Sequence, residues 1–383
     1  MTMRKKLGFG FMRLPLTDKQ NQTSFDYDLL NKLVDVFIEK GFSYFDTALS
    51  YHKSKSEEAI RKSLVERYPR DAFQLATKLP PRVLHSEADC EKIFAQQLER
   101  CGVTYFDYYL VHNLGHTAYQ QAQQYRVFEF VMRKKQAGAI GKVGFSFHDS
   151  PELLDEILTA NPGLDFVQLQ INYADWESPA IQSRRCYEVA RKHHMPVIVM
   201  EPCKGGNLAQ LPDPAEKLMK AYNPNASIPS WAIRYAAGLD GVFMVLSGMA
   251  AMEHVMDNTS FMTNFETLNQ AEHQVIGKVV DIINESVAVP CTMCRYCEDT
   301  CPKNIPIPDC FALYNGSRRA TTDNNTSQLA YYLNLTATRG KACDCIGCKR
   351  CEHACPQHLA ITKHLQEVSS LFDGKSLPAT FKN

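Results

Sequence analysis

Eight of the 14 cysteines fall into two runs of identical spacing. Cys291-x2-Cys294-x2-Cys297-x3-Cys301 is followed by Pro302, and Cys345-x2-Cys348-x2-Cys351-x3-Cys355 by Pro356. Three thiolates spaced in this way on a curling loop reach three corners of a four-iron cubane. The fourth, one residue further along and followed by a proline, serves a neighbouring one. The spacing predicts two [4Fe–4S] clusters with crossed ligation. Cys291, Cys294, Cys297 and Cys355 hold one; Cys345, Cys348, Cys351 and Cys301 hold the other. Structural zinc also uses C-x2-C pairs, but it does not require this run twice. Cys310 and Cys343 fall outside the spacing and read as unligated thiols.

A second set of residues could carry acid–base chemistry. Asp46, Lys78 and His112 each stand at the end of an apolar run, and Tyr51 follows in the loop after the first. A phenol with an ordinary pKa of ~10 is a poor acid at neutral pH and needs a cation beside it. Lys78 would supply that charge and lower the Tyr51 pKa, while Asp46 pairs with Lys78 and orients it. His112 would hydrogen-bond a carbonyl oxygen. Tyr51 would then donate a proton as a hydride reaches the carbon. Any one of these residues alone reads more simply as a cap, a solvated charge or a core histidine. The set of four at matching positions carries the argument. His148 and Asp149, after a further run, read equally as substrate contacts or as loop caps.

These residues need a scaffold that brings several strand ends together. The apolar runs are Tyr44–Ala48, Phe73–Leu79, Phe106–His112, Ile140–Phe147, Phe166–Tyr173, Val197–Cys203 and Gly241–Gly248. They are near-continuous, as in parallel strands buried on both faces. Amphipathic stretches such as Leu29–Lys40, Ser56–Tyr68, Glu87–Arg100 and Ile181–His193 separate them. Lys6–Arg13 makes an eighth β segment, with an N-terminal hairpin as the alternative. A repeat of roughly 30 residues is one βαβ unit, and eight of them predict an α/β fold, a (β/α)8 TIM barrel. No G-x-G-x-x-G follows a strand, which argues against a dinucleotide-binding open sheet. Residues 260–285 read as one closing helix. Composition changes at Pro290-Cys291, so the chain divides into a barrel, 1–285, and a cysteine-rich, mainly helical ferredoxin-like domain, 286–383.

Composition narrows the function further. Lys+Arg and Asp+Glu are balanced at 42 each, so no global basic field gathers nucleic acid or an anionic membrane. No run of ~18 apolar residues occurs. Gly8, Gly10 and Arg13 break the N-terminal apolar stretch that a signal peptide needs. The expectation is a soluble, cytoplasmic protein in a reducing compartment, where clustered thiols mean metal rather than disulfides.

Phe45-Asp46-Thr47-Ala48 with Tyr51, Ala76-Thr77-Lys78 and Leu110-Val111-His112 occur in the order of the catalytic tetrad of the aldo-keto reductase superfamily, which residues 5–260 resemble. The resemblance implies NAD(P)H bound without a Rossmann fold. It places Ser146 on the nicotinamide carboxamide, Gln170 beside it, and Met200 where an aromatic ring often stacks. Gly248, His254 and Asn258 fall at the phosphate end. The Asn that usually follows the serine is Phe147 here, and His254 stands where a basic residue grips the 2′-phosphate. Residues 290–360 resemble helical dicluster ferredoxin domains.

Two functions of different class follow. One is an oxidoreductase that interconverts a small carbonyl substrate and its alcohol. The other is an electron-transfer or redox-sensing protein that uses the barrel as a platform toward a redox partner protein. Nicotinamide moves two electrons together and each cluster passes one. A flavin is the usual device for splitting the pair, and a flavin-mediated, ferredoxin-linked reductase is a third reading, although the sequence holds no recognisable flavin motif.

Overall fold

The computed structural model describes residues 5–285, 288–318 and 326–375. Eight parallel strands close into a barrel in chain order: β1 (Leu7–Gly10), β2 (Tyr44–Asp46), β3 (Gln74–Leu79), β4 (Phe106–Leu114), β5 (Ile140–Phe147), β6 (Phe166–Gln170), β7 (Val197–Met200) and β8 (Val242–Ser247). β8 returns to pair with β1, so the first segment is a barrel strand rather than a hairpin. Several apolar runs overshoot the strands they mark. Thr47–Ala48 and Ile171–Tyr173 leave the ladder and become buried loop, and Glu201–Cys203 a partly buried one, at the strands' C-terminal ends, the face where barrel enzymes place their chemistry.

Tyr44, Tyr108, Leu110, Phe166, Ile198 and Met244 fill the barrel interior. That filling fixes Gly8. A Cβ there would lie 2.8 Å from both Leu246 Cδ2 and Tyr44 Cδ1. A larger apolar shell, including Leu30, Phe37, Phe94, Phe130 and Leu154, joins the strands to the outer helices.

The single helix expected over 260–285 is two: Met252–Thr263 and Gln270–Glu285. The break is chemically encoded. Asn269 Oδ1 accepts from Glu272 N–H at 2.9 Å, and Glu272 Oε2 accepts from Asn269 N–H at 2.8 Å. This reciprocal cap starts a new helix, and Arg234 clamps the same carboxylate at 2.7 Å.

A second core lies C-terminal to the barrel. Val289, Ile307, Phe311, Tyr332, Leu365 and Phe372 pack together, with Tyr332 stacked on Phe372 at 4.8 Å. Its longer helices are Ile307–Arg318, Thr326–Leu335 and Ile361–Phe372. The predicted module boundary falls at 286–287, outside the described residues. Helix Thr326–Leu335 lies across the barrel mouth. Asn334 Nδ2 donates to His148 O at 2.9 Å, and Asn334 Oδ1 accepts from Arg82 Nη2. Tyr331 meets the His148 ring edge-on at 5.5 Å, and Ser327 Oγ donates to Glu201 Oε2. Among the described residues, no helix is long and apolar enough to cross a membrane.

Candidate active site and cysteine loops

The four acid–base candidates meet in one place. Lys78, at the end of β3, is wholly buried, and every proton of its ammonium has an acceptor. Nζ donates to Asp46 Oδ1 at 2.5 Å, Thr47 O at 2.8 Å and Tyr51 Oη at 3.2 Å. It also lies 4.7 Å from the Tyr51 ring centre. The His112 ring stands edge-on to Tyr51 at 5.9 Å and 81°. Asp46, Tyr51 and His112 face a cavity of about 440 Å³ at the barrel mouth.

The electrostatics correct one expectation. The Tyr51 phenol sits above its ordinary value, not below it. Burial raises it, Lys78 pulls it down, and Asp46 pushes it up again. Lys78 limits the rise rather than producing an acidic phenol. Burial also raises the Asp46 carboxyl against the pull of Lys78. The ammonium is raised by Asp46 and Tyr51 despite its desolvation. His112 is held far below the usual histidine range, first by burial and then by Lys78, His148 and Arg82. It is therefore a neutral imidazole, suited to donating an N–H to a carbonyl oxygen.

Burial, and then Arg82, also pushes His148 down to about 4. Such a group binds fewer protons folded than unfolded below pH 6.5, so its contribution to stability is complete above that pH and lost as the pH falls toward 4. Thermal unfolding should therefore shift to lower temperature across this window. His148→Gln should flatten the dependence, and an unchanged slope would remove His148 as its source.

Ser146, Met200 and Gly248 line the same cavity. The other three residues placed at the cofactor do not. Gln170 Nε2 donates to Asp175 Oδ2 at 3.1 Å, and Gln168 faces the cavity instead. His254 Nδ1 accepts from Ala250 N–H at 3.3 Å, and Asn258 Nδ2 donates to Ser247 Oγ at 3.0 Å. Both hold the loop after β8. Asp149 caps its loop, accepting from Ser150 and His116 backbone N–H groups, whereas His148 does line the cavity. Sequence reasoning missed Arg13, Asn113, Glu201, Ser327 and Ala330, all cavity-lining. Asn113 follows His112 directly, where strand alternation would turn it away from the cavity. Ser327 and Ala330 come from the C-terminal helix and carry no local signal.

In the cysteine-rich region the thiols gather as two groups, each around its own small cavity. Cys291, Cys294 and Cys297 gather with Cys355, and Cys345, Cys348 and Cys351 with Cys301. The two loops repeat the same backbone. Met293, Arg295 and Asn304 are left-handed in the first, and Gly347, Lys349 and His358 occupy the corresponding positions of the second. These reversals curl each run around a centre. Among the described residues, no three His, Cys, Asp or Glu side chains form a single-ion site. The thiols rim a space rather than meet at a point, which suits a cluster better than one zinc ion. Cys310 is buried in the second core and Cys343 is exposed; neither borders these cavities.

Residues 6–281 match the aldo/keto reductase family model, and residues 290–361 match the model of a 4Fe-4S dicluster domain. A search of curated protein sequences returned no match. Solved structures share the barrel. An aldo-keto reductase from Klebsiella pneumoniae in complex with NADPH has a TM-score of 0.57 at 19% identity, over 72% of this chain and 90% of that one. The holo form of an aldo-keto reductase from Bacillus halodurans gives 0.58 at 24%, over 72% and 91%. One from Brucella melitensis gives 0.53 at 19%, over 71% and 94%. The barrel's family match and the second match beyond it lead to one statement: this chain belongs to the aldo/keto reductase family, as an oxidoreductase that also carries a 4Fe-4S dicluster domain.

Proposed function

We propose that the chain interconverts a small aldehyde or ketone and its alcohol with NAD(P)H, using Tyr51 as the proton donor. The observation that carries this reading is the Lys78 ammonium, fixed by Asp46 and Thr47 O and placed 3.2 Å from Tyr51 Oη at the cavity. The bound nicotinamide would supply the hydride. Ser146 and Met200 face the cavity where its ring would lie, and Gly248 faces it toward the phosphate end. Gln170, His254 and Asn258 would act from behind, by shaping the loops. The neutral His112 would donate an N–H to the substrate oxygen. Tyr51 would protonate that oxygen as negative charge develops, and Lys78 would restrain the phenolate left behind. Helix Thr326–Leu335 brings Ser327 and Ala330 to the same cavity. Steady-state oxidation of NADPH and NADH by the iron-loaded protein, against a panel of small carbonyl compounds, tests the reading. Absence of both nicotinamide binding and turnover would sink it.

The same proposal takes residues 1–285 as the barrel module and 286–383 as the cluster module, with two crossed [4Fe–4S] clusters. Cys301→Ser should damage the cluster held by Cys345, Cys348 and Cys351 and spare the one in its own run. Paramagnetic resonance of the reduced variant reads this directly. Loss confined to the cluster of Cys291, Cys294 and Cys297 would refute the crossing.

One observation favours a second role, electron exchange with a redox partner protein. Tyr296 and Ile346, each beside cluster-loop cysteines, are both 62% exposed, an apolar edge at each loop.

A further inference from the structure

β4 and β5 lose register between Val111 and Leu114, and Asn113 at this irregularity has φ 53°. In a regular strand, neighbouring side chains point to opposite faces. Here His112 and Asn113 both line the cavity, because the bulge re-aims one of them. Asparagine is among the few residues that accept this left-handed conformation without large strain.

Asn113 is 6% exposed, and its Oδ1 is buried without a hydrogen-bond partner. Its backbone N–H donates to Ser146 Oγ at 2.8 Å, tying the two residues together on one wall. Phe147, next to Ser146, offers no polar group there. It is buried in the apolar shell, edge-on to Phe145 at 6.2 Å. β4 and β5 therefore present one hydroxyl and one side-chain amide whose oxygen lacks a donor, and Gln168 of β6, paired with Ser146, adds a second amide beside them. A primary carboxamide complements the Asn113 amide, with an N–H to satisfy Oδ1 and an oxygen to receive Nδ2–H.

We propose that Asn113 reads the nicotinamide carboxamide, with Ser146 as its companion, and so sets which ring face meets the substrate. This rests on the nicotinamide reading above. Asn113 is a positioning residue, and its test is a binding measurement.

Asn113→Gly removes the side chain and keeps the left-handed backbone; Asn113→Asp keeps the shape and loses the N–H donors. Fluorescence titration of the iron-loaded protein with NADPH should show dissociation constants raised roughly 10- to 100-fold in both variants, the scale of a lost buried hydrogen bond. Titration with phosphorylated ADP-ribose, which lacks the nicotinamide ring, should be unchanged. The same titration is run with NADH and ADP-ribose; wild-type protein that binds neither NADPH nor NADH overturns the functional reading, and this inference with it. Wild type that binds NADPH beside variants that bind it equally well overturns the inference alone. So do an equal loss for both ligands, which marks general damage, and a rise confined to the carbonyl KM, which would place Asn113 on the substrate.

Discussion

Tyr51→Phe should lower carbonyl turnover by ~10²–10⁴-fold, the usual range for losing a general acid, while leaving NADPH affinity nearly unchanged. The ring keeps its edge contact with His112, and only the hydroxyl facing Lys78 is lost. Lys78→Met should be as damaging for two reasons. Tyr51 would lose the cation that limits its pKa, which burial already raises. Asp46 would also remain as an unpaired carboxyl in a buried site, and removing one partner of a buried pair costs about 3–5 kcal/mol. Lys78→Met should therefore melt earlier than wild type, and Tyr51→Phe should not. The double variant should lose far less activity than the product of the single losses, since both disable one device. Because the phenol lies above its ordinary value of 10, Tyr51 stays protonated through neutral and mildly alkaline pH, and the reductive rate should not fall there through loss of the donor. Near-wild-type turnover in Tyr51→Phe would remove the proposed mechanism.

Removing the iron should separate the two cores. Under crossed ligation, each cluster ties together cysteines from runs that lie far apart in sequence. As cross-links closing loops of roughly 45–65 residues, each would contribute about 4 kcal/mol by restricting the unfolded chain. That is about a thousandfold in an opening equilibrium. After chelation, hydrogen exchange should accelerate by about that factor or more in helices Ile307–Arg318, Thr326–Leu335 and Ile361–Phe372. The barrel strands should retain their protection. The mouth contacts through Asn334, Tyr331 and Ser327 should loosen with them, and the KM for carbonyl substrates should change more than NADPH affinity. Unchanged exchange in these helices after complete loss of iron would show that the second core stands without cross-links.

The barrel was legible because its strands are buried on both faces and so read as unbroken apolar runs. The strand ends were not, because Thr47–Ala48 and Ile171–Tyr173 stay buried after leaving the ladder. Residue order brought out Asp46, Tyr51, Lys78 and His112. The direction of the Tyr51 shift was hidden, because it depends on how much water three dimensions exclude. Asn113 escaped because strict alternation assigns it to the outer face, and only the irregularity in β4 turns it inward. The break at Asn269 was readable as a cap but was masked by the apolar periodicity around it. Ser327 and Ala330 were out of reach, because their place in the cavity follows from the packing of one module on the other.

The position of helix Thr326–Leu335 also bears on how such an enzyme could diversify. The helix lies between the two cysteine runs, and its cavity-facing side chains are neither thiols nor members of the acid–base set. Variation there would leave the cysteine runs and the acid–base residues themselves unchanged. A library confined to positions such as 327 and 330 would sample which carbonyl compounds are accepted while holding the reaction fixed. Selectivity could then drift in a segment that lies outside the barrel.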